Sequence, residues 1–396
     1  MKWNLIFLLA LVFASCSEQD VNDPLIDDLP LSGQVSDIKV ENLPGKAKIS
    51  YVLPKDQDLL YVKADYFLES GKKMSVKSSY YKNSVLLEGF SGNMDVDVSI
   101  TTVNRSEKES EPVTVTVSPE PAPIFDVFET LGIEPAFGGV YVSAENPKRE
   151  DLAILIMQKD ELGDWVPLTN SIYTSTEEIK STLRGMDTIP KDFALTIRDR
   201  WLNYTDTLFV NIKPFFEEAI PTSGYRGLRL PNDAPFYDAN SLDFLWDKNF
   251  LDWPRVYLTL PQYTENNHML TFSLGVNAKL SRIVIWDYPE YGPSGRIYYN
   301  LGCPKRFRIY GSDVLDTSGD LSSWTLLGEY EETKPSGLPY GQQNNEDYQT
   351  ARAGFSWEIP IEMPAVKYIR IENLVNWAGG KQIALAELQA YGQVQN

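Results

Sequence analysis

Apolar and polar residues alternate with a period of two along most of this chain. KAKISYVL, LYVKADYFL, KMSVKSSY, SVLLEGF, DVDVSITTV and PVTVTVS follow one another between 46 and 118, separated by Gly, Pro, Asn or Ser. Strands with one buried and one solvated face read this way. Six or seven of them in one short stretch predict an antiparallel sandwich.

The pattern is used twice. Pro54-Lys55 with Asp58-Leu59 recurs as Pro147-Lys148 with Asp151-Leu152, a shift of 93. Asn104-Arg105 returns as Asp199-Arg200, Ser110 as Thr205, Glu111 as Asp206 and Pro119 as Pro214, a shift of 95. The alternating Val113, Val115 and Val117 become Leu208, Val210 and Ile212 at that same shift. Two gapless blocks separated by a two-residue insertion predict one module in two copies, at 33–118 and 124–213. SPEPAP between them reads as a short, stiff proline linker. The segment DVDVSITTVNRSEKESEPVTVTVSP resembles the last two strands of a fibronectin type III domain, which implies that fold for both copies.

From 215 to 396 the composition changes, and six of the nine Trp lie here. MLTFSLG, SRIVIWDY, KRFRIYGS, WTLLGEY, FSWEIP, KYIRIEN and IALAELQAYG are strand candidates, and no stretch sustains a 3.6-residue apolar period. These predict a larger β-sandwich of jelly-roll type. The fold class is therefore all-β: two tandem fibronectin III/immunoglobulin-like sandwiches and a jelly roll. In the last segment the order LWDKNFLDW, LTFSLGVNAKLSRIVIWDY, KRFRIYGSD, KYIRIENLVNW, IALAELQAYG resembles the discoidin family, the galactose-binding-like jelly roll of coagulation factor type C domains.

The N-terminus adds an address. Met1-Lys2 precedes an apolar run from Leu5 to Ala14, too short to cross a bilayer, which needs roughly 20 residues. Residues 1–15 read as a signal peptide. Ala14-Ser15 before Cys16 resembles a bacterial lipobox, which implies cleavage there and acylation of Cys16; an ordinary signal peptide is the plainer alternative. Residues 16–32 form an acidic tether, extended by its own charge. That tether resembles the acidic export tails of lipoproteins displayed on gut polysaccharide-degrading bacteria. Losing Lys2 would take the net charge from −19 to −20, which excludes a phosphate backbone as ligand. Cys303 would then be the only thiol, and a buried apolar setting is expected for it.

Catalysis finds little support in the residues. His268 is the single histidine, and no G-x-S-x-G or H-E-x-x-H occurs. In NWAGGK the first Gly a P-loop requires is Val375. A carboxylate pair stays open among 55 acidic residues. Sugar recognition needs aromatic faces with polar groups beside them. DYPEYGPSGRIYYNLG supplies Tyr288, Tyr291, Tyr298 and Tyr299 around Arg296; KPSGLPYGQQNNEDYQ supplies Tyr340 and Tyr348; Trp377 tops a third loop. These eight are the candidate carbohydrate-binding residues. The discoidin resemblance also implies a structural Ca²⁺ held by Asp247, Asn249, Asp252 and Glu387. There Lys248 stands where the family has Gly, and an Asx-turn satisfied by its own backbone is the alternative.

The whole organisation resembles surface lipoproteins of starch-utilisation-type glycan uptake systems. That resemblance implies a non-catalytic, lipid-anchored protein of the outer membrane, facing outward, whose partners are a glycan, an outer-membrane importer and its companion lipoproteins. The alternative is a structural or assembly lipoprotein that docks a transporter or another protein.

Overall fold

The computed structural model describes residues 28–92, 94–262, 266–292 and 295–395; Cys16 and the segment before it lie outside them. The chain is all-β. Among the described residues α-helix is confined to α1 (Ile124–Glu129) and α2 (Asn345–Ala353).

The first seven strands are β1 (Ser36–Leu43), β2 (Lys46–Val52), β3 (Leu59–Phe67), β4 (Lys73–Ser79), β5 (Ser84–Glu88), β6 (Val96–Asn104) and β7 (Val113–Val117). They form two sheets, β1-β2-β5 and β4-β3-β6-β7. The period of two becomes a core directly. Ala47, Ile49 and Tyr51 of β2 meet Val62, Ala64 and Tyr66 of β3 and Val98 and Ile100 of β6. This is the fibronectin III-like sandwich that the pattern predicts.

The next strands are β8 (Gly132–Ala136), β9 (Gly139–Glu145), β10 (Leu152–Lys159), β11 (Trp165–Pro167), β12 (Ile172–Thr174), β13 (Glu178–Arg184), β14 (Lys191–Asp199) and β15 (Leu208–Ile212). Their sheets run β13-β9-β8 and β11-β10-β14-β15, with β12 on β10. The repeat holds at the level of single hydrogen bonds. Asn104 Oδ1 accepts the N–H groups of Ser106 and Lys108, both at 3.0 Å. Asp199 Oδ1 accepts those of Trp201 and Asn203, at 2.8 and 2.9 Å. Ser110 Oγ and Thr205 Oγ1 each accept a strand N–H, from Thr102 (3.1 Å) and Ile197 (3.0 Å). Even the left-handed residue repeats, as Glu107 and Leu202.

The proline segment is less a free linker than a strap. Glu120 N donates to Leu43 O (3.2 Å), Gly45 N to Glu120 O (2.9 Å) and Ala122 N to Ser91 O (2.9 Å). The short helix α1, which no apolar period announces, follows at once.

By compactness the described chain divides into two units. One holds the residues up to Leu131 with Ser143–Ile179 and Phe193–Phe209; the other holds Gly132–Val142, Lys180–Asp192 and Val210 onward. The second unit contains β16 (Glu218–Ala219), β17 (Arg226–Leu228), β18 (Tyr257–Leu258), β19 (His268–Asp287), β20 (Glu290–Gly292) and β21 (Gly295–Ile297). Beyond these come β22 (Pro304–Ser312), β23 (Thr325–Glu331), β24 (Phe355–Glu358), β25 (Val366–Asn376) and β26 (Ala384–Val394). The main sheet path is β16-β26-β19-β25-β22-β23, with β17 and β24 on β19 and β18 on β26.

β19 changes partner along its length. Residues 268–273 pair mainly with β25 and residues 278–287 with β26. Leu270, Phe272 and Leu274 from one half and Leu280, Ile283 and Ile285 from the other enter a single core with Phe307, Ile309, Ile369 and Ile371. At the change stands Gly275, with φ +79°. Its backbone lies so near Gly224 that an added Cβ would sit 2.4 Å from that carbonyl oxygen. Behind β19, Glu217 accepts from Ser281 Oγ (2.6 Å), Arg184 (2.7 Å) and Arg282 (3.2 Å), which ties the end of β13 to this sheet. Gly275→Ala should lower stability by about 1–3 kcal/mol, from the left-handed backbone and the clash together. A shift of the urea midpoint for the second unit measures it; an unchanged midpoint contradicts the role given to this glycine.

Candidate functional site

β19 ends in Trp286 and Asp287, and around them three loops enclose a cavity of about 280 Å³. Phe250 and Leu251 come from the 247–252 loop, Tyr298 from the segment after the β20–β21 hairpin, and Tyr348 and Arg352 from α2. Four aromatic rings frame it. Phe250 meets Trp286 edge-on at 5.3 Å between centroids, and Tyr298 meets Tyr348 edge-on at 5.5 Å. Trp286 can lie where it does because residue 354 is Gly, whose added Cβ would sit 2.4 Å from the indole.

Each loop is held by its own polar struts. Lys334, only 7 % exposed, donates to the carbonyls of Leu338 (3.1 Å), Pro339 (3.0 Å) and Gln342 (2.7 Å). Its burial pulls the ammonium below the usual lysine range. Helix α2 begins at a reciprocal cap: Asp347 N donates to Asn344 Oδ1 (2.9 Å) and Asn344 N to Asp347 Oδ2 (3.0 Å). Gln343 clips this loop to the neighbouring hairpin, accepting from Tyr298 N (3.0 Å) and donating to Arg296 O (2.8 Å). Arg296 itself donates to Pro289 O (3.1 Å) and Leu251 O (2.7 Å) while lying over Tyr291. Three non-glycine residues in these loops, Lys248, Tyr299 and Leu301, adopt positive φ. Backbone of this kind costs about 1–3 kcal/mol per residue and persists only where the surroundings over-determine it.

Below the rings lies a pair of buried acids. Asp287 and Glu332 are 2 % and 3 % exposed and adjoin one another. Burial raises the Asp287 carboxyl to about 7 and raises Glu332 well above the usual carboxylate range. Trp377 Nε1 donates to Glu332 at 2.8 Å, while Asp287 Oδ2 has no hydrogen-bond partner within the protein. Cys303 is buried beside them, its thiol donating to Tyr288 O at 3.5 Å. His268 is wholly buried, with Nδ1 2.7 Å from Thr259 Oγ1.

The eight residues read as carbohydrate ligands thus take different places. Tyr298 and Tyr348 line the cavity. Tyr291 and Tyr340 are exposed, the latter accepting Leu301 N at 3.3 Å. Tyr288 and Tyr299 are buried in packing, Tyr299 edge-on to Trp377 at 5.3 Å. Trp377 serves Glu332, and Arg296 is a strut. Reading loops for tyrosine missed Phe250, Trp286, Asp287 and Arg352. The signal for Arg352 was present: Asn344-x-x-Asp347 is a capping pattern that starts a helix inside the supposed loop.

Lys248 adopts the left-handed turn that a Gly would give, with φ +68°. Glu387 does reach this loop, accepting Lys248 N at 2.8 Å. The donor set nevertheless does not fit a hard dication, which wants six to eight oxygens. Asp247 is taken by Arg255 (2.6 Å), and Asn249 Oδ1 accepts the N–H groups of Leu251 (3.3 Å) and Asp252 (3.0 Å). Among the described residues no three His, Cys, Asp or Glu side chains group as metal ligands.

With this geometry in place, comparison with known proteins adds the following. Residues 32–119, 120–223 and 246–392 match three domain families of unknown function, DUF4959, DUF5126 and DUF5000 respectively. No curated protein matches the chain. Among solved structures, a SusE-like protein is 27% identical over 68% of this chain and 98% of its own, with a TM-score of 0.44. A Clostridium perfringens family 89 glycoside hydrolase is 15% identical over 45% of this chain and 15% of its own, at 0.29. A CBM32 module of a family 31 glycoside hydrolase from Clostridium perfringens is 12% identical over 42% of this chain and 93% of its own, at 0.27.

The buried acids set a pH dependence. Their folded-state affinity for protons exceeds the unfolded one, so the stability they contribute is present below the ordinary carboxylate range and lost as pH rises through about 7. The melting temperature should fall between pH 5 and pH 8, and Asp287→Asn should flatten that slope. An equal slope in the variant would show that Asp287 is not buried as described.

Proposed function

We propose that this chain is a non-catalytic glycan-binding protein of the cell surface, lipid-anchored at Cys16, that captures polysaccharide or oligosaccharide for an outer-membrane uptake system. The observation that carries the reading is the cavity framed by Phe250, Trp286, Tyr298 and Tyr348. Rings held rigidly around a polar-edged cavity suit a sugar, whose CH faces stack while its hydroxyls find hydrogen bonds. Two carboxyls that adjoin leave no room for a glycosidic bond between them, whereas hydrolysis needs them roughly 5–10 Å apart. The likeness to a SusE-like protein and to a carbohydrate-binding module is in keeping with this reading. The other reading, an assembly subunit, would have these rings meet a protein and would leave the isolated chain without affinity for any sugar.

Calorimetry on a glycan selected from an array tests the site. Phe250→Ala and Tyr348→Ala should each weaken binding about five- to thirty-fold, the equivalent of a stacked ring worth about 1–2 kcal/mol. Binding at the wild-type level in both variants places the site elsewhere. Release of reducing ends from that glycan would overturn the non-catalytic reading.

The anchor is tested by fractionation. Cys16→Ala should move the protein out of the membrane fraction, since acyl chains are the only hold proposed. A variant that stays with the membrane contradicts acylation at Cys16.

A further inference from the structure

The cavity is lined by two ionisable groups besides its tyrosines, and they differ in kind. Asp287 is buried, its charge suppressed by burial near neutral pH. Arg352, in the last turn of α2, is exposed and forms no ion pair or side-chain hydrogen bond within the described residues. The other arginines of the neighbouring loops are spent on structure: Arg255 on Asp247, Arg296 on two carbonyls. The chain as a whole carries −19, so a lone guanidinium beside a sugar-sized cavity stands against the general charge.

A guanidinium offers a planar fork of N–H donors that matches a carboxylate bidentately. The rings beside it suit the face of a pyranose. One ligand class satisfies both at once. We infer that this cavity takes an acidic sugar, a hexuronate residue whose carboxylate pairs with Arg352 while its ring lies among Phe250, Trp286, Tyr298 and Tyr348. This rests on the glycan-binding reading and narrows it to a chemical class.

The geometry supplies the remaining contacts. Asp287 lines the cavity; its Oδ2 is buried and makes no hydrogen bond of ordinary geometry, with Glu332 and Cys303 beside the carboxyl. Protonated, it can donate to a ring or hydroxyl oxygen; ionised, it can accept from a hydroxyl. Both forms serve a sugar, and the protonated one does so without repelling the uronate.

The test uses the full chain and six sets of short oligosaccharides: those of galacturonate, glucuronate and mannuronate, and the carboxyl-reduced neutral counterpart of each. Reduction changes only the charged group and leaves the ring stereochemistry alone. At least one uronate should bind, and its reduced counterpart should bind about ten- to a hundredfold more weakly, the range of a charge-assisted hydrogen bond. Arg352→Gln should bring the affinity ratio of the uronate to its reduced counterpart down to about one. Because Arg352 is exposed and unpaired, this variant should melt where the wild type does, which a thermal scan checks. If a reduced sugar binds as tightly as its uronate, or if Arg352→Gln leaves their ratio unchanged, the acidic-sugar inference falls while glycan binding stands. If no sugar of either kind binds, the acidic-sugar inference falls, and the glycan-binding reading is decided separately by the array.

Discussion

The second unit depends on one constraint: β19 must serve two sheet partners in succession without breaking. A strand of twenty residues cannot stay straight and cover a core on both sides of a sandwich. The register break between Ser273 and Ala278 lets it turn from β25 to β26, and Gly275 makes the turn sterically possible. The cavity lies at the end of β19 beyond that turn. Trp286 and Asp287 arrive at the cavity because β19 is still paired with β26 when it ends, opposite Glu387 and Leu385. The 247–252 loop is pinned from the same strand pair, through Glu387 and the Lys248 N–H.

The tandem modules were the part of the fold most legible in the sequence, and the reason is local. Asn104 and Asp199 each cap their own turn over the next four residues, so the residue type required is fixed by neighbours in the chain. Alternating Val, Ile and Leu give the sandwich for the same reason: the period of a strand is written into consecutive positions. The jelly roll was harder to read. Its strands could be picked out singly, but the partner switch in β19 rests on the approach of Gly224 to Gly275, which no local pattern records.

The cavity was legible only in part, because tyrosine in a loop has two physical uses. Tyr299 and Tyr288 fill the interior beneath the loops, as Leu would in a helix, and Trp377 meets a buried acid. Tyr298 and Tyr348 do line the cavity. The residues that complete it, Phe250, Trp286, Asp287 and Arg352, come from three separate stretches, and only tertiary contact unites them. The calcium expectation depended on the same kind of knowledge. Residue types suited to a cation were present, but Arg255 sits on Asp247, and sequence spacing could not say so.

Lys334 shows how the approach to α2, the helix that brings Tyr348 and Arg352 to the cavity wall, is kept in place. Its ammonium gathers three carbonyls of one loop, a task in which a hydrated metal or a ring of waters would serve as well. Because the charge is covalently part of the chain, this loop is ordered when the protein folds rather than when a guest arrives. The conformational entropy of the wall is then already spent before any encounter, and a visiting molecule surrenders only its own freedom. Recognition on such terms resembles a key entering a finished lock.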